Sequence, residues 1–305
     1  MLIRKQFLII NAKWRDWETK FRNNDKIKYI NTKEHHEEYD INDYYILCMK
    51  LQDYKTYYNY PTNIFNNTPI IIELLNNKTL FYKYMMQKFI NHIPEVYYYN
   101  NGTDTYKTHL SHISKNTKMI LKPNLGCNGG GIKIIKSLVM LDDNDMQNAS
   151  VTQYIDHTEH YVGQFLVMNG QIIHKVYFKA NNDTNHIKVG EIHHYTTQNV
   201  LDFDDSVYDN VFKHLNYSGF AHSDFINVNN TLIMFEINPW IGSCLVRNAK
   251  CFDIFIDKLS EYMSNSTSLP NINNNIERQV GVQYNPINTD LKLTICSRCG
   301  KTHAS

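Results

Sequence analysis

The chain is poor in glycine (12 of 305 residues) and proline (7), and arginine is scarce throughout. No stretch approaches the roughly 18–20 apolar residues of a membrane-spanning helix, and the apolar run Phe7-Leu8-Ile9-Ile10 near the start is too short for a signal peptide. Both absences point to a cytoplasmic protein that neither enters nor touches a membrane. The six cysteines (48, 127, 244, 251, 296 and 299) are scattered except for the last two, which excludes a disulfide framework and fits a reducing compartment. A formal charge of +1 and a pI near 7.7 leave no basic stripe for nucleic acid. Ala, Gly, Pro and Arg give way to Asn, Ile, Lys and Tyr, the bias of an AT-rich genome. The Asn runs then read as tolerated surface filler.

What is present is apolar material for a core: 42% hydrophobic and 13% aromatic residues, enough for one large domain or two ordinary ones. Residues 1–75 show short apolar runs at Phe7–Ile10, Tyr44–Met49 and Ile70–Ile72, expected as strands of a small α/β unit. Leu80, Phe81, Tyr84, Met85, Phe89 and Ile93 recur at helical spacing over 79–93, and Pro94 stops the run. Strands are expected at Met119–Lys122, Ile132–Ile135, Val151–Ile155, Tyr161–Met168 and Ile172–Phe178, with Asn169-Gly170 as a hairpin turn. A helix near 205–215 carries Val207, Val211, Phe212 and Leu215 on one face. A second hairpin joins Phe220–Val228 to Leu232–Ile237 through Asn229-Asn230, and a last helix covers about 251–263. Residues 264–289 read as a linker and 290–305 as a tail; no internal repeat is visible.

Two constellations carry chemistry. In Leu121-Lys122-Pro123-Asn124-Leu125-Gly126-Cys127-Asn128-Gly129-Gly130-Gly131 a lysine ends a strand and a Gly-rich turn follows. Glycines allow backbone N–H groups to approach phosphate oxygens closely. It is not a Walker A loop, because no Gly-Lys-Ser/Thr occurs and a strand follows; alone, it reads equally as a plain turn. The second set is Asp224 in Ala221-His222-Ser223-Asp224 with Glu236 and Asn238 in Phe235-Glu236-Ile237-Asn238-Pro239. Glu236 and Asn238 share a strand face, and Asp224 can meet them across the hairpin. Two carboxylates and an amide oxygen suit Mg²⁺. The bland alternative is solvated charge on a sheet edge, which an acid inside the apolar run Leu232–Ile237 argues against.

Taken together, strand–Lys-Pro–Gly-rich loop–strand, then Gln153-Tyr154-Ile155, then Gly-Phe-Ala-x-x-Asp-Phe and Phe-Glu-Ile-Asn-Pro resemble the ATP-grasp superfamily, which includes D-alanine–D-alanine ligase and glutathione synthetase. The similarity covers about residues 76–263, with a lid near 116–150. It implies an α/β (α+β) fold of two subdomains clasping ATP, here preceded by the N-terminal unit 1–75. The resemblance implies Lys78 and Lys122 as phosphate lysines, and Gly126 to Gly131, including Gly129, Gly130 and Gly131, as the loop over the phosphates. It implies Gln153-Tyr154-Ile155 as the hinge to adenine and Glu159 as the ribose carboxylate. Asp224, Glu236 and Asn238 would hold one or two Mg²⁺, with Mn²⁺ as a possible substitute. Gly242 would mark the substrate end of the site, beside Trp240 and Ser243.

The chain departs from the pattern at His222, where many carboxylate–amine ligases carry an Arg that steadies the tetrahedral intermediate. His222 is open to three readings: stabiliser, base or structural residue. With arginine scarce, Lys175 and Lys179 are expected to neutralise the triphosphate. The reaction implied is ATP-dependent carboxylate–amine ligation through an acyl phosphate, acting on an amino acid, a peptide or a protein terminus. The alternatives are a kinase acting on a hydroxyl such as that of an inositol phosphate, and a nucleotide-binding module without catalysis. His193, His194 and Trp240 line the pocket or simply pack. The tail residues Cys296, Cys299 and His303 form half of a zinc-ribbon pattern; a fourth ligand would have to come from elsewhere, including a second chain in a homodimer, and a tail with adventitious thiols reads equally well.

Overall fold

The computed structural model describes residues 6–10, 15–31, 43–49, 53, 65, 69–100, 105–107, 117–125, 130–136, 147–181, 194–198 and 200–265, and two short strands at 293–295 and 302–304. The N-terminal unit is a three-stranded parallel sheet, with β1 (Phe7–Ile10) between β2 (Ile27–Ile30) and β3 (Tyr45–Ile46). All four β1 residues are buried, as a central parallel strand covered on both faces requires. Helix α1 (Arg15–Arg22) makes the crossover and buries Trp17 and Phe21, one turn apart.

The run expected as a strand at Ile70–Ile72 is helical. It lies in α2 (Pro69–Asn76), which buries Ile70, Ile71, Ile72, Leu74 and Leu75. A continuous apolar run does not separate a buried helix from a buried strand. Pro69 decides the matter here, because proline is pre-set for the first helical position. Asn77 then caps α3 (Lys78–Lys88), its side chain accepting from the Thr79 and Leu80 amides at 3.0 and 3.3 Å. The helical run breaks at Phe89 and continues as a 3₁₀ turn over Ile90–His92.

Two antiparallel sheets follow. The first has the order β5-β4-β8-β6-β7, built from β4 (Val96–Asn100), β5 (Thr105–Lys107), β6 (Met119–Pro123), β7 (Lys133–Ile135) and β8 (Ala149–Gln153). The second has the order β11-β10-β9-β12-β13, built from β9 (His160–Met168), β10 (Gln171–Asn181), β11 (His194–Gln198), β12 (Gly219–Val228) and β13 (Thr231–Asn238). Its two hairpins turn where the sequence predicts. Asn169 and Gly170 have φ of 50° and 76°, and Asn229 and Asn230 have φ of 51° and 64°, the positive values a type I′ turn needs. Side-chain alternation gives this sheet two unlike faces. One packs on α4 (Val207–Leu215) through Phe165 and Phe225 against Tyr208, with Phe212 also on Phe165 and Tyr177 edge-on to Phe225. The other is covered at one end by α6 (Ala249–Asn265), whose Phe255 meets Phe220 and His174. The rest of that second face carries the polar residues described below.

The edge strand β13 is not left open. The Tyr82 hydroxyl donates to the Phe235 carbonyl at 2.9 Å, and His92 Nδ1 lies 3.0 Å from the Leu232 carbonyl. Covering an edge in this way blocks pairing with another chain. The N-terminal unit docks on α6 through Phe21 and Phe252, with ring centroids 5.6 Å apart, and through the Lys26–Asp257 ion pair. Short strands β14 (Leu293–Ile295) and β15 (Thr302–Ala304) pair with each other. Among the described residues no helix is long and apolar enough to cross a membrane.

The Asn229-Asn230 turn gives a first prediction. Asn230→Gly should fold with unchanged or slightly raised stability, whereas Asn230→Ala should lose about 1 kcal/mol, because alanine keeps the Cβ that opposes positive φ but lacks the polar side chain that offsets it in asparagine. Urea unfolding of the two variants measures this, and equal midpoints would refute it.

Candidate functional site

The antiparallel register sets His222 opposite Asn238 and Asp224 opposite Glu236. Residues two apart share a strand face, so these four polar side chains form a rectangle on the uncovered face. Beyond Asp224 the ladder shifts, with Phe225 pairing Met234 and Phe235 left as the extra residue. Such a bulge re-aims a side chain. The Phe235 ring turns towards the same site, 6.1 Å from His160 and 4.8 Å from the Lys122 ammonium.

Nitrogen or oxygen donors of His222, Asp224 and Glu236 all lie within 4.8 Å of one another. Two carboxylates, an imidazole and an amide on one face fit a divalent cation. Asn238 lies at the edge of this set with its Nδ2 donating to Glu236 Oε1 at 2.7 Å. As a ligand it would have to present Oδ1, which a half-turn of the amide brings round.

Two lysines face the carboxylates. Lys78 opens α3, and its Nζ lies 2.9 Å from Glu236 Oε2. Burial opposes ionisation of Glu236, but the Lys78 ammonium and the Asn238 amide hold its carboxyl well below the usual range. Lys122, 6% exposed, donates to the Tyr82 hydroxyl at 3.0 Å. Burial brings its ammonium down to about 8, against the pull of Glu236 and Asp224. A polar network fixes both lysines. The Lys78 amide donates to the Asn124 carbonyl at 3.0 Å, Asn124 Oδ1 accepts from the Thr79 hydroxyl, and Asn124 Nδ2 donates to the Asn100 carbonyl at 2.7 Å. Of the Gly-rich loop, Gly126 to Gly129 lie outside the described residues. Gly130 is exposed, and Gly131 has φ 76° with a Cβ position only 2.7 Å from the Pro123 ring, so only glycine fits there.

At the expected hinge the Gln153 and Tyr154 amides are used within the protein, donating to the Glu95 and Lys118 carbonyls at 2.8 and 3.1 Å. The Ile155 carbonyl accepts from His157 Nδ1 at 2.7 Å. Glu159, expected at the ribose, has its carboxylate paired with Lys179 and accepting from the Tyr161 hydroxyl at 2.8 Å. The next residue, His160, faces Asp224. His160 Nε2 lies 2.9 Å from Asp224 Oδ1, and its Nδ1 is buried with no hydrogen-bond partner among the described residues. A carboxylate only accepts, so Nε2 carries a proton, and in the neutral ring Nδ1 is an acceptor. The same logic leaves His157 Nε2 as a buried acceptor. Sequence reading missed His160 by starting the strand at Tyr161; alternation from Gln164 back through Val162 is the signal that finds it.

Lys175 and Lys179, expected at the triphosphate, are corrected by the register. They pair with Phe165 and Tyr161 across β9, on the face that packs on α4, so they point away from Asp224 and Glu236. Lys175 instead meets Asp205 at 2.6 Å. At the far end of the site the Trp240 carbonyl accepts from His222 Nδ1 at 3.0 Å, while its ring is 4% exposed and packs. Ser243, exposed, opens α5 (Ser243–Arg247). The Gly242 amide donates to Gln164 Oε1 at 3.1 Å, and a Cβ on Gly242 would lie 2.2 Å from Gln164 Nε2. His193, Cys296 and Cys299 lie outside the described residues, as do the side chains of His194 and His303.

No protein-family model matches the sequence, and no curated protein matches it. The fold does have known counterparts. A D-cycloserine synthetase superposes over 84% of this chain and 99% of its own, at 11% identity and a TM-score of 0.51. The D-alanine–D-alanine ligase of Helicobacter pylori covers 87% of this chain and 100% of its own, at 12% identity and a TM-score of 0.50. The chain has the ATP-grasp fold. The sheet β4–β8 is termed the upper sheet and β9–β13 the lower sheet.

The low Lys122 value yields a prediction with a defined sign. An anion bound beside the ammonium favours its charged form and raises the value above about 8. Binding ATP at pH 8 should therefore take up roughly half a proton, and at pH 6 almost none, where Lys122 is already charged. Calorimetry in buffers of different ionisation enthalpy measures the uptake. Lys122→Arg, which stays charged, should show none, and a wild-type signal free of buffer dependence would remove Lys122 from the anion.

Proposed function

We propose that the protein is an ATP-dependent carboxylate–amine ligase. The observation that carries this is the pairing of two buried lysines from the upper-sheet side, Lys78 and Lys122, with the carboxylates Asp224 and Glu236 from the lower sheet. Cations on one side and metal-binding oxygens on the other suit a polyphosphate chelated to a divalent ion. When bound, the ion would supply Lewis-acid polarisation of the phosphoryl oxygens. The lysines would then neutralise the phosphates, and Gly130-Gly131 would follow them as part of the closing loop. The acceptor nitrogens of His157 and His160 need donors, which a ribose hydroxyl and an adenine amino group provide.

The substrate is proposed to be an amino acid, a peptide or a protein terminus, activated as an acyl phosphate. Release of ADP and phosphate would accompany the new amide. A kinase for a polyphosphorylated alcohol is less well supported, because such a substrate calls for a basic pocket. The arginine beyond the site, Arg247, turns to Asp16 on α1 at 3.1 Å.

Asp224→Asn tests the proposal with little risk to the fold, since its main partner is the neutral-capable His160. Glu236→Gln is the poorer probe, because it strips a buried Lys78 of its counter-ion, a loss of about 3–5 kcal/mol. With a panel of amino acids, peptides and inositol phosphates, wild type should release ADP and phosphate in equal amounts with an amino acid or peptide. Asp224→Asn should slow this at least about a hundredfold, the scale of one lost electrostatic group. A phosphorylated alcohol as product would make the protein a kinase, and ADP release unchanged in Asp224→Asn would dismiss the metal assignment.

A further inference from the structure

We infer that His222 is a ligand of the cation, so that this centre selects a first-row transition ion such as Mn²⁺ over Mg²⁺. The inference rests on the nucleotide-site reading above and adds an imidazole to its oxygen donors.

The first support is position: His222 contributes a donor to the cluster with Asp224 and Glu236, all within 4.8 Å of one another. It reaches that place by strand alternation from Asp224 and by its register opposite Asn238. The second support is orientation. His222 Nδ1 lies 3.0 Å from the Trp240 carbonyl, which only accepts, so Nδ1 carries a proton. In the neutral ring Nε2 then carries the lone pair. A ring N–H given to a backbone carbonyl is the usual way a metal-binding histidine is oriented and made more basic. The third is rigidity. The imidazole stands edge-on to the Trp240 ring, 6.3 Å between centroids, and Trp240 is itself buried at 4% exposure.

Selectivity follows from the donor set. Mg²⁺ demands oxygen ligands in near-ideal octahedral geometry, whereas an imidazole beside two carboxylates suits transition ions.

The test uses the full chain with Mn²⁺ and a non-hydrolysable ATP analogue. Pulsed electron paramagnetic resonance should detect a ¹⁴N coupling to Mn²⁺ that becomes ¹⁵N when the protein is grown on ¹⁵N-histidine. His222→Ala should abolish that coupling and weaken Mn²⁺ at least about tenfold, the lower end of what even an orienting partner costs. Mg²⁺ affinity should stay within about threefold, a small part of a tenfold step. His222→Asn keeps a donor for the Trp240 carbonyl and should lose the coupling in the same way, which guards against a misfolded alanine variant. Mn²⁺ binding without histidine coupling, or with coupling that survives in both variants, overturns the inference and leaves the nucleotide site standing. Failure of Mn²⁺ to bind with the analogue, while Asp224→Asn changes nothing, would overturn both.

Discussion

Asp224 and Glu236 are placed directly opposite each other on one sheet face, and like charges so placed call for a counter-charge beyond the hydrogen bonds that His160 and Asn238 give them within the sheet. Lys78 provides this, and it comes from the first residue of α3 rather than from either strand. The ion pair therefore ties the helix to β13. The Thr79–Asn124–Ser150 cluster then ties the start of the same helix to the upper sheet, with the Thr79 and Ser150 hydroxyls 2.8 Å apart. The carboxylate pair is thus linked through α3 to both sheets. A buried pair of this kind is weak evidence for net stability, because desolvation offsets the attraction. Its consequence is positional, and the removal of a single partner is what becomes costly.

The aromatic excess of the sequence has a local meaning at this junction. The Lys122 ammonium lies over the Phe235 ring, 4.8 Å from its centroid, and donates to the hydroxyl at the edge of the Tyr82 ring. Both rings lie against a charge that, on the proposed reading, meets an anion. A cation held over an aromatic face is partly compensated yet remains under-solvated. Phe235 can play this part only because the bulge after Asp224 turns it to the side of Glu236, and the Tyr82 hydroxyl on its carbonyl holds the bulge.

Most of the lower sheet was legible in the sequence. The strands β9, β10, β12 and β13 are apolar runs bounded by turns, and Asn-Gly and Asn-Asn mark turns for a steric reason. The opposition of Asp224 to Glu236 followed from strand alternation alone. The errors share a cause, which is that face assignment depends on register to a single residue. Glu159 and His160 are adjacent, and a strand read from Tyr161 leaves out His160, which faces Asp224. Lys175 and Lys179 were chosen for charge without asking which face β10 turns towards β12. The Ile70–Ile72 run failed differently, since three isoleucines carry no period and only Pro69 reveals a helix. The bulge at Phe235 had no sequence signal, because neither glycine nor a break in apolarity accompanies it.

Scarcity of arginine has a mechanistic side that composition alone does not reveal. An arginine in a buried phosphate site remains charged at any ordinary pH and grips two oxygens at once. A lysine in the same place is a point charge whose ionisation answers to its surroundings. Lys122 shows the result: burial outweighs the attraction of two carboxylates and brings its ammonium to about 8. Before any anion binds, the unfolded chain holds this proton up to about 10.4 while the folded chain releases it near 8. Stability should therefore be penalised below about 8 and regained as pH rises through that window, since the unfolded state binds the extra proton there. Anion binding works in the opposite sense, for it needs the charged form and weakens as the proton leaves. The same burial that costs the fold at neutral pH thus leaves an under-solvated cation facing the carboxylates, and on the proposed reading a polyphosphate with its metal would relieve both charges together.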